Sequence, residues 1–408
     1  MASLHMRLPY AIKIYERILP KATIYPVKNY FTSPSNQGDK NLFTPGPLNT
    51  RMDTKAAMLK DYGSRDEEFI KTVSYIRSNV LLLAGLSEDK YTCIPMQGAG
   101  TMGVESVIGT TVPKDGKLLV CSNGAYGDRI ASIADVLGIN TVYLKDPETE
   151  TTNVERVKDI LVNDKTITNV AMVHCETTTG IFNPIEEVGE VIRIYSPDAS
   201  FFVDAMSTFA AVPIDFEKSN IDFLVSSANK CIEGVPGFSF IIADIEKLLK
   251  CKGNARSLSL DAFSQFQGLL SNGQFRFTPP THAILAFKKA IDFQKDEGGV
   301  KARSERYQEN RRILKDGMKK MGFKELLKDI DQGYIITSYF FPDHPNFTFE
   351  EFYKRLSDKG QVIYPGKVSQ ANCFRIGNIG CLYPDDMEKL LSCIESVCRE
   401  MNIELPLH

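Results

Sequence analysis

The feature that most constrains the fold is an alternation of short apolar runs with amphipathic stretches between residues 117 and 227. The apolar runs are β-rich: KLLVCS (117–122), NTVYLK (140–145), NVAMVHC (169–175), ASFFVDA (199–205) and DFLVSS (222–227). Helical patterns lie near them, such as VERVKDILVN (154–163) and IEEVGEVIRIYS (185–196). Strands interleaved with helices predict an α/β fold with a mainly parallel sheet, in which ligands collect beyond the carboxyl ends of the strands.

The character of the chain changes towards its C-terminus. A long helical pattern is followed by a charged amphipathic helix, two strand candidates and a closing helix: 281–299, 301–323, 334–341, 361–366 and 385–401. We therefore predict a large domain over residues 41–298 and a smaller α+β domain over residues 299–408. Residues 1–40 are predicted to be an N-terminal extension that ends in a polar linker. Its start, MASLHM, resembles a vector-derived sequence, which suggests one domain of a longer protein.

Composition excludes several classes of protein. A net charge of −3 over 408 residues gives no electrostatic reason to expect binding to nucleic acid or to an anionic membrane. No apolar run reaches the roughly 18 residues of a membrane span. The nine cysteines contain no C-x-x-C pair, so neither a metal site nor a disulfide framework is indicated, and free thiols favour the cytoplasm.

The stretch SSANKCIEGVPGFSF (226–240) places Lys230 among small and apolar residues. A lysine usually keeps its ammonium group in water, and burial without a partner lowers its pKa by several units. Lys230 is therefore either a solvated lysine in a small-residue loop or an amine that is held in a dry site for chemistry.

Two further segments can supply an anion site and an acid. In PMQGAGTMGVESVIG (95–109), small residues that include Ala99, Gly100 and Thr101 precede a helical run, which suits a phosphate but also suits a tight strand–helix turn. Asp204 lies at the end of an apolar run, where a buried carboxylate is costly unless it meets a cation or a hydrogen-bond donor. It is therefore either a capping or turn aspartate at a strand end or a carboxylate that binds a protonated group.

Three other segments carry polar groups at predicted strand ends or breaks. HCETTTGIFNP (174–184) contains Thr177, and GQFRFTPPTH (273–282) places Arg276 and Thr278 before a Pro-Pro break. FRIGNIG (374–380) sets Arg375 between apolar neighbours. A lone arginine is most often a solvated surface group, but a guanidinium in an apolar strand needs an acidic partner such as a carboxylate or phosphonate.

Taken together and in order, these segments resemble the class V aminotransferases, which are fold-type I pyridoxal-phosphate enzymes. The resemblance covers about residues 41–400. The matching stretches are LFTPGPLNT (42–50), DYGSRDEEF (61–69), PMQGAGTMGVES (95–106), NGAYGDR (123–129), HCETTTGIFNP (174–184), VDAMSTF (203–209), SANKCIEGVPGFSF (227–240), GQFRFTPPTH (273–282), YPGK (364–367) and FRIGNIG (374–380).

The resemblance implies pyridoxal 5′-phosphate as cofactor and a role for each matching residue. Lys230 matches the lysine that forms the Schiff base, and Asp204 matches the carboxylate that pairs with the pyridinium nitrogen. Ala99, Gly100 and Thr101 match the turn that grips the cofactor phosphate.

Other matches concern the rim of the site. Thr278 matches a phosphate-contacting threonine that comes from the neighbouring subunit, which implies a homodimer with a shared active site. Tyr126 matches the ring stacked on the cofactor, and Thr177 matches the contact to its phenolic oxygen. Arg375 matches the arginine that binds the substrate acid group. Arg276 and Lys367 are candidates, on position alone, for a second basic group that binds the same acid group.

Within the class, the resemblance is to enzymes that interconvert 2-aminoethylphosphonate plus pyruvate and phosphonoacetaldehyde plus L-alanine, all of them small-molecule substrates. An alanine:glyoxylate or serine:pyruvate aminotransferase is the alternative, since such enzymes share the cofactor residues. A cysteine desulfurase would need a nucleophilic cysteine, for which Cys373 and Cys381 are the nearby residues. A catalytically silent binding protein would be expected to have lost Lys230 or Asp204.

Overall fold

The computed structural model describes residues 38–368 and 371–407, so nearly all of the predicted extension lies outside the described residues. The helices of the described part follow the amphipathic patterns and are numbered here in chain order. They are α1 (Met52–Ala56), α2 (Glu67–Leu83), α3 (Gly100–Thr111), α4 (Ala125–Val136), α5 (Val154–Asn163), α6 (Ile185–Tyr195), α7 (Ile245–Leu249), α8 (Ala262–Asn272), α9 (Thr281–Glu297), α10 (Gly299–Lys320), α11 (Phe349–Asp358) and α12 (Pro384–Glu400).

The strands of the described residues fall into one large sheet and three small ones. They are β1 (Asn41–Leu42), β2 (Tyr91–Gln97), β3 (Lys117–Ser122), β4 (Asn140–Lys145), β5 (Ile167–Val173), β6 (Cys175–Glu176), β7 (Ile181–Phe182), β8 (Ser200–Asp204), β9 (Phe223–Ser227), β10 (Phe238–Asp244), β11 (Ile336–Phe340), β12 (Gln361–Val362), β13 (Tyr364–Pro365) and β14 (Cys373–Gly377).

The large sheet has seven strands in the order β2-β10-β9-β8-β5-β3-β4. Neighbours from β9 to β4 pair in parallel, and β10 alone runs antiparallel to β2 and β9. Parallel strands are buried on both faces, and β5, β8 and β9 are accordingly almost wholly buried. The predicted α/β class with a mainly parallel sheet is confirmed.

The sheet topology brings two polar chain segments together at one edge. Asp204 ends β8, and Val225 of the adjacent parallel strand β9 lies opposite it. Beyond β9 the chain turns back through residues 228–237 into β10, and this turn carries Lys230; the N–H of Ala228 donates to the carbonyl of Phe238 across it (3.1 Å). The acid and the lysine therefore lie at the same rim of the sheet.

A second hydrophobic cluster lies in the C-terminal part. Phe374 of β14 is its centre, because its ring contacts Tyr339 at a centroid distance of 5.8 Å and Phe352 at 5.5 Å. Phe43 belongs to the same cluster, and β1 pairs in parallel with β12. The short segment at residues 41–43 thus packs with the C-terminal elements, while the division of the chain at residues 298/299 stays a prediction.

A buried ionic network joins the turn that carries Lys230 to α9, α10 and the C-terminal part. Glu233 forms ion pairs with Arg303 (3.3 Å) and Arg306 (2.7 Å), and Glu297 pairs with both arginines. Arg306 also donates to the carbonyl of Gly380 (2.7 Å). Buried charges are tolerated when they are paired and hydrogen-bonded in this way. Among the residues described, no helix is both long and apolar enough to cross a membrane.

Candidate active site

One cavity of about 180 Å³ opens at the carboxyl ends of β8 and β9. It brings together six of the residues that the sequence singles out: Ala99, Gly100, Thr101, Tyr126, Asp204 and Lys230. The other lining residues are Val104, Arg129, Ile130, Met206, Ser227 and Asn229. The cavity therefore contains an amine, a carboxylate and a helix N-terminus.

Lys230 is partly buried, and its Nζ donates a hydrogen bond to the carbonyl oxygen of Pro45 at 2.6 Å. Burial lowers the pKa of its ammonium group, against the opposing charges of Cys231 and Asp204. Gly46 makes room for the side chain, because a Cβ atom there would lie 2.7 Å from Nζ. Lys230 is thus held in the site rather than solvated, and its amine is more readily neutral than an ordinary lysine's.

Asp204 is buried, with 5% of its surface exposed. Among the described residues its carboxylate accepts one hydrogen bond, from the backbone N–H of Met206 at 2.9 Å. Burial raises its pKa to about 6, with Glu176 adding to the rise and the charges of Lys230 and Arg129 opposing it. Because it lines the cavity, this carboxylate has acceptor capacity left for a donor placed there.

The turn before α3 is built to receive an anion. Gly98 has φ +103, a conformation that suits glycine, and its N–H donates to the carbonyl of Gly237 (3.1 Å). Ala99 caps α3 without a side-chain hydrogen bond, so the first amides of the helix, at Gly100 and Thr101, point to no acceptor within the described residues. Such amides and the helix dipole suit a phosphate group.

Glu176 fixes the start of α4, which carries Tyr126 into the cavity. Its carboxylate accepts hydrogen bonds from the backbone N–H of Tyr126 (3.0 Å) and Gly127 (3.3 Å). The backbone N–H (3.0 Å) and hydroxyl of Thr178 donate to its other oxygen. Glu176 is buried, and its two oxygens are taken up by the start of α4 and by Thr178, so it orients the site rather than meeting a ligand.

His174 is also a structural group rather than a proton donor. It is buried, and its Nδ1 lies 2.9 Å from the hydroxyl of Thr208. Burial lowers its pKa to about 4, so the ring is neutral at physiological pH. Its backbone N–H donates to the carbonyl of Asp204 at 2.9 Å, which ties β5 to β8 at the rim.

Arg375 lies beside the cavity without lining it. It is buried, with 3% exposed, and donates from Nη1 to the carbonyl of Thr177 (2.7 Å) and from Nε to that of Pro365 (2.9 Å). Burial lowers its pKa, and it forms no ion pair with a carboxylate of the described residues. Thr177 is buried and holds Arg375 through its backbone carbonyl, while its predicted contact to the cofactor stays a prediction.

Arg276 and Thr278 lie outside the cavity. Arg276 donates from Nη1 to the carbonyl of Leu258 (3.0 Å) and packs over the ring of Phe277. Thr278 is exposed, and its carbonyl accepts from the side chain of Gln97 at 3.3 Å, next to the turn that precedes α3. Their predicted roles in binding substrate and the partner's cofactor therefore stay predictions.

The sequence did not indicate Arg129, although it lines the cavity. Its guanidinium lies 4.8 Å from the ring centroid of Tyr126, and Nη1 donates to the hydroxyl of Thr101 at 3.3 Å. A signal existed, because Arg129 follows Tyr126 by three residues in NGAYGDR, and residues three apart share a helix face. Ser227 and Asn229, next to Lys230, were likewise not predicted.

The residues of the cavity fit pyridoxal 5′-phosphate. The open amides at the start of α3 suit its phosphate, the unfilled acceptor of Asp204 suits its ring nitrogen, and the Lys230 amine suits its aldehyde. Fold and site together define a fold-type I transferase that depends on this cofactor.

Comparison with known proteins gives the family. The description "Aminotransferase class-V" matches residues 50–354, three quarters of the chain, and the chain belongs to this family. Its cofactor is accordingly pyridoxal 5′-phosphate.

Curated relatives are similar over most of the chain. A 2-aminoethylphosphonate–pyruvate transaminase of Phocaeicola vulgatus is 48% identical over 88% of this chain and 99% of that protein. One of Bacillus cytotoxicus is 49% identical over 86% of this chain and 96% of that protein. A bifunctional phosphonoacetaldehyde hydrolase/aminoethylphosphonate transaminase of Clostridioides difficile is 47% identical, covering 93% of this chain and 59% of that protein.

Solved structures agree on the fold. The ureidoglycine–glyoxylate aminotransferase of Bacillus subtilis superposes with a TM-score of 0.81 at 22% identity, over 90% of this chain and 94% of that one. The pyridoxamine–pyruvate aminotransferase of Mesorhizobium loti superposes with a TM-score of 0.81 at 21% identity, over 92% of this chain and 96% of that one.

Proposed function

We propose that this chain is an aminotransferase that interconverts 2-aminoethylphosphonate plus pyruvate and phosphonoacetaldehyde plus L-alanine. The observation that carries the reaction type is that Lys230, Asp204 and the turn at residues 99–101 line one cavity. The choice of substrates is supported by the names of relatives that are 47–49% identical to this chain.

Pyridoxal 5′-phosphate, when bound, supplies an aldehyde for the amino group and a ring that accepts the electron pair released at the substrate carbon. Asp204 contributes a buried carboxylate that favours a proton on the ring nitrogen, because an ionised acid in a dry site is stabilised by a cation. The amides of Gly100 and Thr101 hold the phosphate, and Tyr126 provides an aromatic face in the cavity.

Lys230 has two tasks that need a neutral amine. Its Nζ would hold the cofactor through the aldehyde, and its lowered pKa makes the nucleophilic free amine more accessible. With substrate bound, Nζ would take the proton from the substrate carbon as a base and later give it back as an acid. His174 and Glu176 do not compete for this task, because one is neutral at physiological pH and the other is bound by backbone amides.

Arg375 is the proposed site for the substrate acid group. A buried guanidinium without a carboxylate partner is costly, so an incoming phosphonate or carboxylate would relieve that cost. Its Nη1 donates to the carbonyl of Thr177, the neighbour of Glu176, whose carboxylate binds the start of α4.

A homodimer with a shared site and a cytoplasmic location belong to the same proposal. Thr278 is exposed on the single chain, next to the turn at residues 99–101, as a residue that serves a partner's site would be. All nine cysteines are free thiols, which favours a reducing compartment. Sedimentation equilibrium of the holoenzyme tests the dimer directly, and a monomer with full activity would contradict it.

The substrate proposal is tested by absorption spectroscopy of the holoenzyme. Its visible band should be lost on addition of 2-aminoethylphosphonate and return with pyruvate, whereas Lys230→Ala should lack the band. Borohydride treatment should fix the cofactor mass on Lys230 in wild type only. If 2-aminoethylphosphonate leaves the band unchanged while alanine or serine with glyoxylate cycles it, the enzyme is the alternative class V aminotransferase.

A cysteine desulfurase is disfavoured by the state of the two cysteines that flank the FRIGNIG segment in the sequence. Cys373 and Cys381 are buried, and burial raises the pKa of both thiols, that of Cys381 to about 12. A nucleophilic cysteine needs the opposite shift and an exposed position.

A further inference from the structure

The proposed substrate poses a charge problem that Arg375 does not solve alone. A phosphonate has a second ionisable oxygen and, when it has lost both protons, carries two negative charges, whereas pyruvate and alanine each present one carboxylate. Arg375 has one positive charge and already donates to the carbonyls of Thr177 and Pro365. A site for both kinds of acid therefore needs a second cation within reach of the first.

Lys367 occupies the right position for this second cation. It follows β13 by two residues. Its Nζ lies 4.8 Å from the ring centroid of Tyr126, a residue of α4 that lines the cavity. The strand before it pairs with Arg375 through Tyr364, so both cations come from the same small sheet. Arg276, by contrast, is turned to the Leu258 carbonyl.

The charges around Lys367 are mostly of its own sign. Burial, followed by the nearby charges of Arg129 and Arg375, lowers its pKa, and only Glu176 acts in the opposite direction. Glu176 is occupied by the N–H groups at the start of α4, including that of Tyr126. Neither Lys367, Arg129 nor Arg375 forms an ion pair with any carboxylate in the part of the chain that the structure describes. A further anion at this point would be stabilised.

Arg129 and Lys367, the two cations near Tyr126, lie at different ends of the site. Arg129 donates to the hydroxyl of Thr101, in the turn that fits the cofactor phosphate. Lys367 and Arg375 both come from the C-terminal part, where Lys367 lies over the ring of Tyr126 and Arg375 lies beside the ring of Tyr364. Arg129 thus lies towards the cofactor phosphate and Lys367 towards the substrate acid.

We propose that Lys367 is a specificity residue that, together with Arg375, binds the second negative charge of a phosphonate substrate. This inference rests on the proposed function and names the group that makes the site prefer a phosphonate to a carboxylate. Lys367 is exposed and reaches Tyr126 only through its side chain, so it can be exchanged without disturbing the core.

The test uses two ligands that differ only in the acid group. Ethylphosphonate and propionate lack the amine, so their binding to the holoenzyme can be measured by calorimetry without turnover, at a mildly alkaline pH where ethylphosphonate is largely doubly ionised. In Lys367→Met, the ratio of the two dissociation constants should shift against ethylphosphonate by about tenfold or more, the value of a lost hydrogen bond to a charged group. Lys367→Arg, which keeps the charge, should restore most of the preference.

A matched control is Lys354→Met, an exposed lysine of α11 that pairs with Asp358 at 3.0 Å. It removes the same charge from the same part of the chain and should leave the ratio at its wild-type value. Steady-state kinetics of Lys367→Met should show a rise in KM for 2-aminoethylphosphonate that exceeds any fall in kcat, since the ammonium binds the acid group and not the reacting carbon.

The outcomes separate this inference from the proposed function. If wild type does not react with 2-aminoethylphosphonate, the proposed function fails. If wild type reacts but Lys367→Met weakens both ligands equally, weakens propionate more, or changes neither, only the assignment of Lys367 is overturned. A selective loss of ethylphosphonate that Lys367→Arg restores supports it.

Discussion

Replacing Asp204 by asparagine should make the cofactor-free protein more stable and the enzyme less active. The pKa of Asp204 rises from an ordinary 3.8 to about 6 because the carboxyl group is buried. The folded chain therefore favours the protonated acid more than the unfolded chain does. Ionisation of Asp204 accordingly lowers the free energy of unfolding. This cost is absent below pH 3.8, grows as the pH rises to about 6, and is complete above it.

The size of the effect follows from these two values. A difference of about 2 pH units corresponds to roughly 3 kcal/mol. Asparagine keeps an oxygen that can accept the Met206 N–H but carries no charge. The cofactor-free variant should thus be more stable than wild type by about 3 kcal/mol at pH 8 and by roughly half as much at pH 5.

The assay is urea unfolding followed by circular dichroism at both pH values, after removal of the cofactor. The matched control Asp198→Asn, at an exposed position, should change stability by less than about 0.5 kcal/mol. With cofactor present, kcat of Asp204→Asn should fall by about two to three orders of magnitude, as on loss of one preorganised electrostatic group. A variant that is no more stable than wild type at pH 8, or a stability gap that is the same at both pH values, refutes the reasoning.

Two other substitutions test the surroundings of the site. Gly46→Ala places a Cβ atom 2.7 Å from Lys230 Nζ, so the lysine must move, and the φ of +122 at position 46 disfavours alanine. We expect kcat to fall by about 100-fold and the visible band to weaken, because the amine is displaced. The far-ultraviolet circular dichroism should stay that of wild type. Arg303→Met removes one ion-pair partner from each of Glu233 and Glu297 and should destabilise the protein by about 3 kcal/mol in urea unfolding. Arg312→Met, which removes exposed ion pairs on the same helix, should cost less than about 1 kcal/mol, and equal effects of the two arginine variants would contradict the importance of burial.

Local periodicity was enough to predict many elements. The segments at 117–122, 140–145 and 154–163 form β3, β4 and α5 with those same bounds. Each forms within one continuous stretch, where side-chain spacing reflects which face is buried. The stretch QVIYPG (361–366) was predicted as one strand but forms β12 and β13, because Gln361–Val362 pairs with β1 and Tyr364–Pro365 pairs with β14.

β2 and β10 were not predicted. Both are almost wholly buried and show no alternation that periodicity could detect. The antiparallel direction of β10 depends on the turn at residues 228–237, where the carbonyl of Lys230 accepts from the N–H of Glu233 at 2.7 Å. The turn matters because it presents the amine at the rim of the sheet.

The sequence by itself determined the α/β class and the family, and it predicted which amine and which acid would share one site, because residue type and local order carry that information. It also indicated that Arg375 is a charge set among apolar residues. Only the tertiary structure decided that this guanidinium has no carboxylate partner in the described part of the chain, and that Lys367 and Arg129 meet at Tyr126. The reason is physical: electrostatic neighbours are set by distance in space, and residues 126 and 367, far apart in the chain, become close only when α4 and the segment after β13 meet in the folded protein.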